Sequence, residues 1–331
     1  MTVRGSACSL AGTRRAAGRI LLSAIALTGL LALGGLQPVA AAHRQGTGAP
    51  DRTPVGHQID PALFEPGSCE EFPPSAGNRH TIVFLDAGHG GIDPGGLGRT
   101  LSGRAIDEAT LTLPVELDTM ALLRADGFEV VASRTRTGTV ARPGPGAVSD
   151  HLFTVQGENR EIAARDQCAD MARAAALIGI YFDTGPSPTD AGSITGYDSA
   201  RPFAAQNLRL ATLVQSDVLA AMNARGWDIP NDGVLSDTLL GGPALSQAGD
   251  SYGHLLLLGP ADPGYFSTPS EMPGALIEPL FITDPFEGSI ATSPAGQQTI
   301  ASGIAAAVEQ YFAPRAGAKA AARPAAVRPK P

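Results

Sequence analysis

The chain has 331 residues, 43% of them hydrophobic and 17% charged, with a formal net charge of −8. An acidic balance excludes the basic face that a nucleic-acid binder turns toward phosphate. A single domain of ordinary size can be built from such a composition, and only one apolar run, near the N-terminus, approaches the length of a membrane span.

Residues 1–42 carry Arg4, Arg14, Arg15 and Arg19 and no acid, then an apolar run from Ile20 to Leu36, then Ala40-Ala41-Ala42. Basic, apolar and small in that order read as a secretory signal peptide, leaving no stable membrane span after cleavage. The alternative is an uncleaved anchor, although glycines and small residues dilute the run. Arg14-Arg15 leaves twin-arginine export open beside the general route. Export implies a secreted, periplasmic or wall-associated protein, more acidic by four charges once the arginines are gone. Cys8 falls within the signal, so Cys69 and Cys168 are the two cysteines of the mature chain. An isolated pair in an exported protein reads as one disulfide, with two free buried thiols as the alternative.

Residues 43–78, rich in Gly, Pro and polar side chains without an apolar period, are expected to form a linker that becomes ordered near Cys69. His80–Asp86 is a short apolar run ending in glycines, as a buried strand does. Residues 107–126 place Leu111, Val115, Leu117, Met120, Leu122 and Leu123 at broadly helical spacing, and Gly127 follows as a C-terminal stop. Further strands are predicted over 128–132, 175–182, 254–259 and 275–278, and further helices over 160–174, 204–225 and 295–312. Strands alternating with helices predict one α/β domain over residues 79–314, a largely parallel or mixed sheet flanked by helices on both faces. Residues 315–331 are Pro/Ala-rich and basic without an acid, the composition of a disordered tail.

Three residues stand out chemically. His89 lies in Asp86-Ala87-Gly88-His89-Gly90-Gly91-Ile92-Asp93-Pro94-Gly95-Gly96, directly after a predicted strand. Open α/β sheets bind ligands at that strand edge, and an imidazole there suits a metal or a proton transfer. Glu108 opens the next helix, where a carboxylate can also simply answer the helix dipole. Glu278 ends an otherwise apolar strand, and a lone acid is costly to bury there unless paired or metal-bound. No Gly-x-Ser-x-Gly elbow and no P-loop is present, which argues against a serine hydrolase or a nucleotide site.

The glycine-rich string resembles the strand-end motif of the zinc-dependent N-acetylmuramoyl-L-alanine amidases, Asp-x-Gly-His-Gly-Gly-x-Asp-x-Gly. The likeness continues through Glu108, through Gly127–Arg134, through Arg165–Asp170 and through Leu276–Phe281, covering residues 80–312. It implies a peptidoglycan hydrolase that cleaves the amide between N-acetylmuramic acid and L-alanine. It further implies that His89 and Glu108 hold zinc and that Glu278 is the general base. The family's second histidine ligand falls eleven residues after the position of Asp170, and Tyr181 stands there instead. Three substitutes are conceivable: Tyr181 bound as tyrosinate, Asp183 on the same strand face, or His254. The rival reading is an amidase-like protein that has lost catalysis and binds peptidoglycan or a cell-wall enzyme.

Overall fold

The computed structural model describes residues 56–240 and 246–314. The expected signal peptide, with Cys8, and the expected basic tail therefore lie outside the described residues. In chain order the elements begin with β1 (His57–Gln58), β2 (Ser68–Phe72), β3 (Ile82–Ala87), β4 (Leu97–Arg99), β5 (Ala105–Asp107) and α1 (Ala109–Ala125). Next come β6 (Glu129–Arg134), β7 (Val148–Ser149), β8 (Leu152–Phe153), α2 (Val155–Met171) and β9 (Ala176–Ile180). The C-terminal part supplies β10 (Ser193–Tyr197), α3 (Ala204–Asn223), β11 (Asn231–Ser236), α4 (Asp237–Leu240) and α5 (Gln247–Tyr252). It closes with β12 (Gly274–Glu278), α6 (Pro285–Ala291) and α7 (Pro294–Phe312).

Eight strands form one mixed sheet in the order β1-β2-β6-β3-β9-β12-β10-β11. Its centre, β6-β3-β9-β12, is parallel throughout. The strands beyond it are reversed, β2 against β6 and β10 against β12. The period of two along each central strand decides which layer a side chain joins. Val83, Leu85, Val130, Ala132, Ile178, Ile180 and Ile277 face a core made with α1, α3 and α7. Phe84, Val131, Leu177 and Leu276 face the opposite core, closed by α2 and by Leu255, Leu257 and Leu258. Burial on both faces is why these strands read as continuous apolar runs. On the first face α3 and α7 touch closely: a β-carbon at Gly303 would collide with the backbone of Val218.

Three expectations are corrected. The stretch expected as a linker folds from His57 onward, well before Cys69, because Phe64 and Cys69 are buried in the second core. There Gln58 Nε2 ties the loop by donating to the carbonyls of Glu65 at 2.7 Å and Ser68 at 3.0 Å. Second, residues 254–259 form turns instead of a strand, with Gly259 N–H donating to Leu255 O at 2.8 Å. The four leucines are buried from several sides, and such a run carries no period that separates strand from turn. Third, α2 starts at Val155, since Thr154 Oγ1 accepts the Gly157 N–H at 3.0 Å and caps the helix. The expected disulfide is present: Cys69 in β2 joins Cys168 in α2 across 99 residues of sequence.

Candidate active site at the carboxyl edge of the sheet

The parallel strands β3, β9 and β12 end side by side, and their carboxyl ends carry the polar residues. β3 delivers His89, β9 delivers Tyr181 and Asp183, and β12 ends at Glu278. Glu108 reaches the same place from the start of α1, which is seated over the glycine-rich loop. Its backbone N–H donates to Gly96 O at 2.9 Å, and the Ala109 N–H donates to Pro94 O at 3.0 Å. All five side chains line one cleft of about 280 Å³, walled by Leu255, Leu256 and Leu257.

The loop that presents His89 is conformationally demanding. His89 itself has φ +60°, a left-handed conformation that costs a non-glycine residue about 1–3 kcal/mol. Gly88 precedes it because a β-carbon there would strike the ring of Tyr181. Arg165, buried in α2, holds the loop in place. Its guanidinium donates to Ala87 O and His89 O, each at 2.8 Å, and pairs with Asp86 at 2.5 Å and Glu161 at 3.0 Å. Asp86 and Arg165 belong to the motif strings quoted above, but the sequence alone assigns them no role.

His89 is fixed at both nitrogens, Nδ1 lying 2.8 Å from Asp93 Oδ2 and Nε2 3.1 Å from Glu108 Oε2. Asp93 is held in turn by the Gly95 N–H at 2.9 Å. Both oxygens of Glu108 accept backbone hydrogen bonds, Oε1 from Phe182 and Oε2 from Gly96, each at 2.8 Å. Tyr181 meets His89 edge to face at 5.3 Å and donates its hydroxyl to Asp86 Oδ2 at 3.1 Å.

These neighbours set the protonation states. Burial opposes charge on His89, yet Glu108 and Asp93 outweigh it and raise the pKa to about 10. Burial pushes the Tyr181 phenol well above its usual value, with Asp86 and Glu108 adding to the shift against Arg165. Glu278 is raised far above the carboxylate range by burial and then by Asp183 and Glu108, with His89 opposing. Asp183 is raised to about 6, again first by burial.

The donors His89 Nε2 and Glu108 Oε2 fit two positions of a zinc ion, a borderline metal that takes imidazole and carboxylate. The bond from Nδ1 to Asp93 is the usual outer support of a metal-binding imidazole, and it leaves Nε2, turned to Glu108, as the nitrogen a metal would take on displacing its proton. Among the described residues no third His, Cys, Asp or Glu donor atom lies within ligand distance of both, although Asp183 lines the same cleft. Among the described residues the one trio of His, Cys, Asp or Glu with mutually close ligand atoms lies elsewhere, at Asp198, Asp237 and His254. His254, the third substitute considered from the sequence, is thus engaged away from the cleft. Tyr181 commits its hydroxyl to Asp86, and its raised pKa disfavours tyrosinate.

The sheet thus presents an imidazole, a facing carboxylate and a buried acid at its strand ends, a set suited to metal or proton-transfer chemistry. The sequence pattern of N-acetylmuramoyl-L-alanine amidases matches residues 83–310, and the chain belongs to that family. It is accordingly a cell-wall amidase, a hydrolase of peptidoglycan. Among solved structures it is similar to the CwlD amidase from Clostridioides difficile, determined in complex with the GerS lipoprotein. That likeness has 19% identity and a TM-score of 0.51, covering 70% of this chain and 98% of the other. Cwp6 from Clostridium difficile is similar at 18% identity and a TM-score of 0.50, over 72% of this chain and 30% of that one. At such identities the structures speak for the fold. No curated protein sequence matches the chain.

Proposed function

We propose that the chain cleaves the amide between N-acetylmuramic acid and L-alanine with zinc held by His89 and Glu108, Asp183 as third ligand and Glu278 as general base. The observation that carries this reading is the doubly fixed imidazole, Nδ1 on Asp93 and Nε2 turned to Glu108. Asp183 lines the same cleft, and only one of its oxygens is pinned, Oδ1 by the Thr184 N–H at 2.6 Å. Tyr181 stays a neutral phenol that buttresses the His89 ring.

Bound zinc supplies Lewis-acid polarisation of the scissile carbonyl and acidifies water. Glu278 takes a proton from the attacking water and returns it to the departing alanine nitrogen, so that the amine leaves neutral. To act as a base Glu278 must be ionised, and the acids that raise its pKa, Asp183 and Glu108, are the groups a cation neutralises. Leu255, Leu256 and Leu257 keep bulk water from one side of the cleft. Export, as residues 1–42 suggest, would bring the enzyme to the polymer it cuts. No described helix is long and apolar enough to cross a membrane.

Tyr181 favours a second reading, a wall-binding relative without turnover. Zinc titration of the protein and of Asp183→Asn and Tyr181→Phe separates the two. The proposal expects Asp183→Asn to weaken zinc at least about tenfold and Tyr181→Phe to leave it within twofold. Absence of zinc binding in the folded wild type would leave the wall-binding reading standing.

A further inference from the structure

A second cluster of metal-type donors lies outside the cleft. Asp198 follows the end of β10, Asp237 opens α4, and His254 follows α5, so three segments distant in sequence meet at one point. His254 Nδ1 lies 3.0 Å from Asp198 Oδ2 and 3.0 Å from Asp237 Oδ2. Both carboxylates are fully buried, while the imidazole is partly exposed.

Each carboxylate is anchored through its other oxygen. Asp198 Oδ1 accepts the N–H groups of Ala200 at 2.6 Å and Arg201 at 2.9 Å, and Asp237 Oδ1 accepts that of Thr238 at 2.9 Å. The remaining oxygens are aimed at the histidine. Asp237 Oδ2 takes the imidazole hydrogen bond and the Leu255 N–H at 3.2 Å. Asp198 Oδ2 is buried, receives no backbone hydrogen bond, and faces only His254 Nδ1 and the Asp237 carboxyl, which repels it unless one of the two acids holds a proton. The one Nδ1–H of His254 lies equidistant from two carboxylate oxygens and cannot point squarely at both. Arg201, whose backbone N–H caps Asp198, spends its guanidinium on the carbonyls of Gly259 and Ser270. A buried carboxylate oxygen left in this way is costly.

We propose that Asp198, Asp237 and His254 form a second, structural cation site, selective for a divalent transition metal such as zinc. One imidazole with two carboxylates is a zinc-type donor set, and a calcium ion would prefer oxygen ligands alone. Coordination through Nδ1 removes the competition for its proton and gives Asp198 Oδ2 a partner. Water would complete the four ligands usual for zinc. His254 directly precedes Leu255, Leu256 and Leu257, so the ion would clip the hydrophobic wall of the cleft to β10 and α4.

The test uses full-length protein carrying His89→Ala and Glu108→Ala, which removes the catalytic donors and separates this proposal from the one above. Equilibrium dialysis against zinc should retain one equivalent, raise the melting temperature, and show no such effect with calcium. Adding His254→Ala or Asp237→Asn should abolish retention and the thermal shift. Should either addition fail to fold, zinc-soaked crystals of the His89→Ala, Glu108→Ala protein decide, through an anomalous peak within bonding distance of the three donors. A protein that retains no zinc once the catalytic donors are gone, or crystals with no peak there, would overturn the site.

Discussion

His89 carries two obligations, to Asp93 through Nδ1 and to Glu108 through Nε2, and both acids favour the imidazolium. A metal must displace the Nε2 proton, so zinc binding should release about one proton near neutral pH. Calorimetry in buffers of different ionisation enthalpy measures that release, and a value of zero would contradict the assignment. The same shift has a consequence for the metal-free protein. Its folded-state pKa of about 10 exceeds the ordinary value of 6.5, so the stabilisation is fully present below pH 6.5 and lost as pH rises through 10. Urea denaturation of wild type and His89→Gln should therefore differ most at pH 6 and converge near pH 11. Glu278→Gln keeps the shape of the acid and removes its basicity. It should lower kcat by about 10²–10⁴ while zinc affinity stays close to wild type; a loss confined to KM would assign Glu278 to binding instead.

At the level of elements, the disulfide is the main covalent tie between the outer strand β2 and α2 on the second face. Closing a loop of this length contributes about 4–5 kcal/mol in the chain-entropy view, with measured losses commonly about 2–5 kcal/mol. Cys69→Ser with Cys168→Ser should lower the unfolding free energy within that range by chemical denaturation, and an unchanged midpoint would show that packing alone fixes β2. The central elements were legible because burial imposed a pattern: β3, β9 and β12 are apolar on both faces, and α1 buries Leu111, Val115, Met120 and Leu123 along one stripe. β10 and β11 were not. Their sequences, Ser193–Tyr197 and Asn231–Ser236, hold polar residues and glycines, and they are strands because β12 offers an edge to pair with. Leu255–Leu258 misled in the opposite direction, since tertiary burial produced an apolar run without extended backbone.

On the scale of the whole molecule, the two cores hold the parallel strands so that their carboxyl ends open on one cleft. Glu278 stood out in the sequence as a lone acid ending an apolar strand, while His89 and Glu108 were singled out together only by their resemblance to the amidase motif; all three line the cleft. The supports were not legible, since Arg165 reaches Asp86 across 79 residues. Nor was the trio of Asp198, Asp237 and His254, which shares no local spacing. Family membership gives the reaction, and the proposed zinc set is what a measurement must decide. Release of free stem peptides from purified peptidoglycan, followed by mass spectrometry with zinc supplied, tests the answer most directly. The account predicts release by the wild type and none by folded His89→Ala; a folded wild type that pellets with the wall but frees no peptide would contradict it.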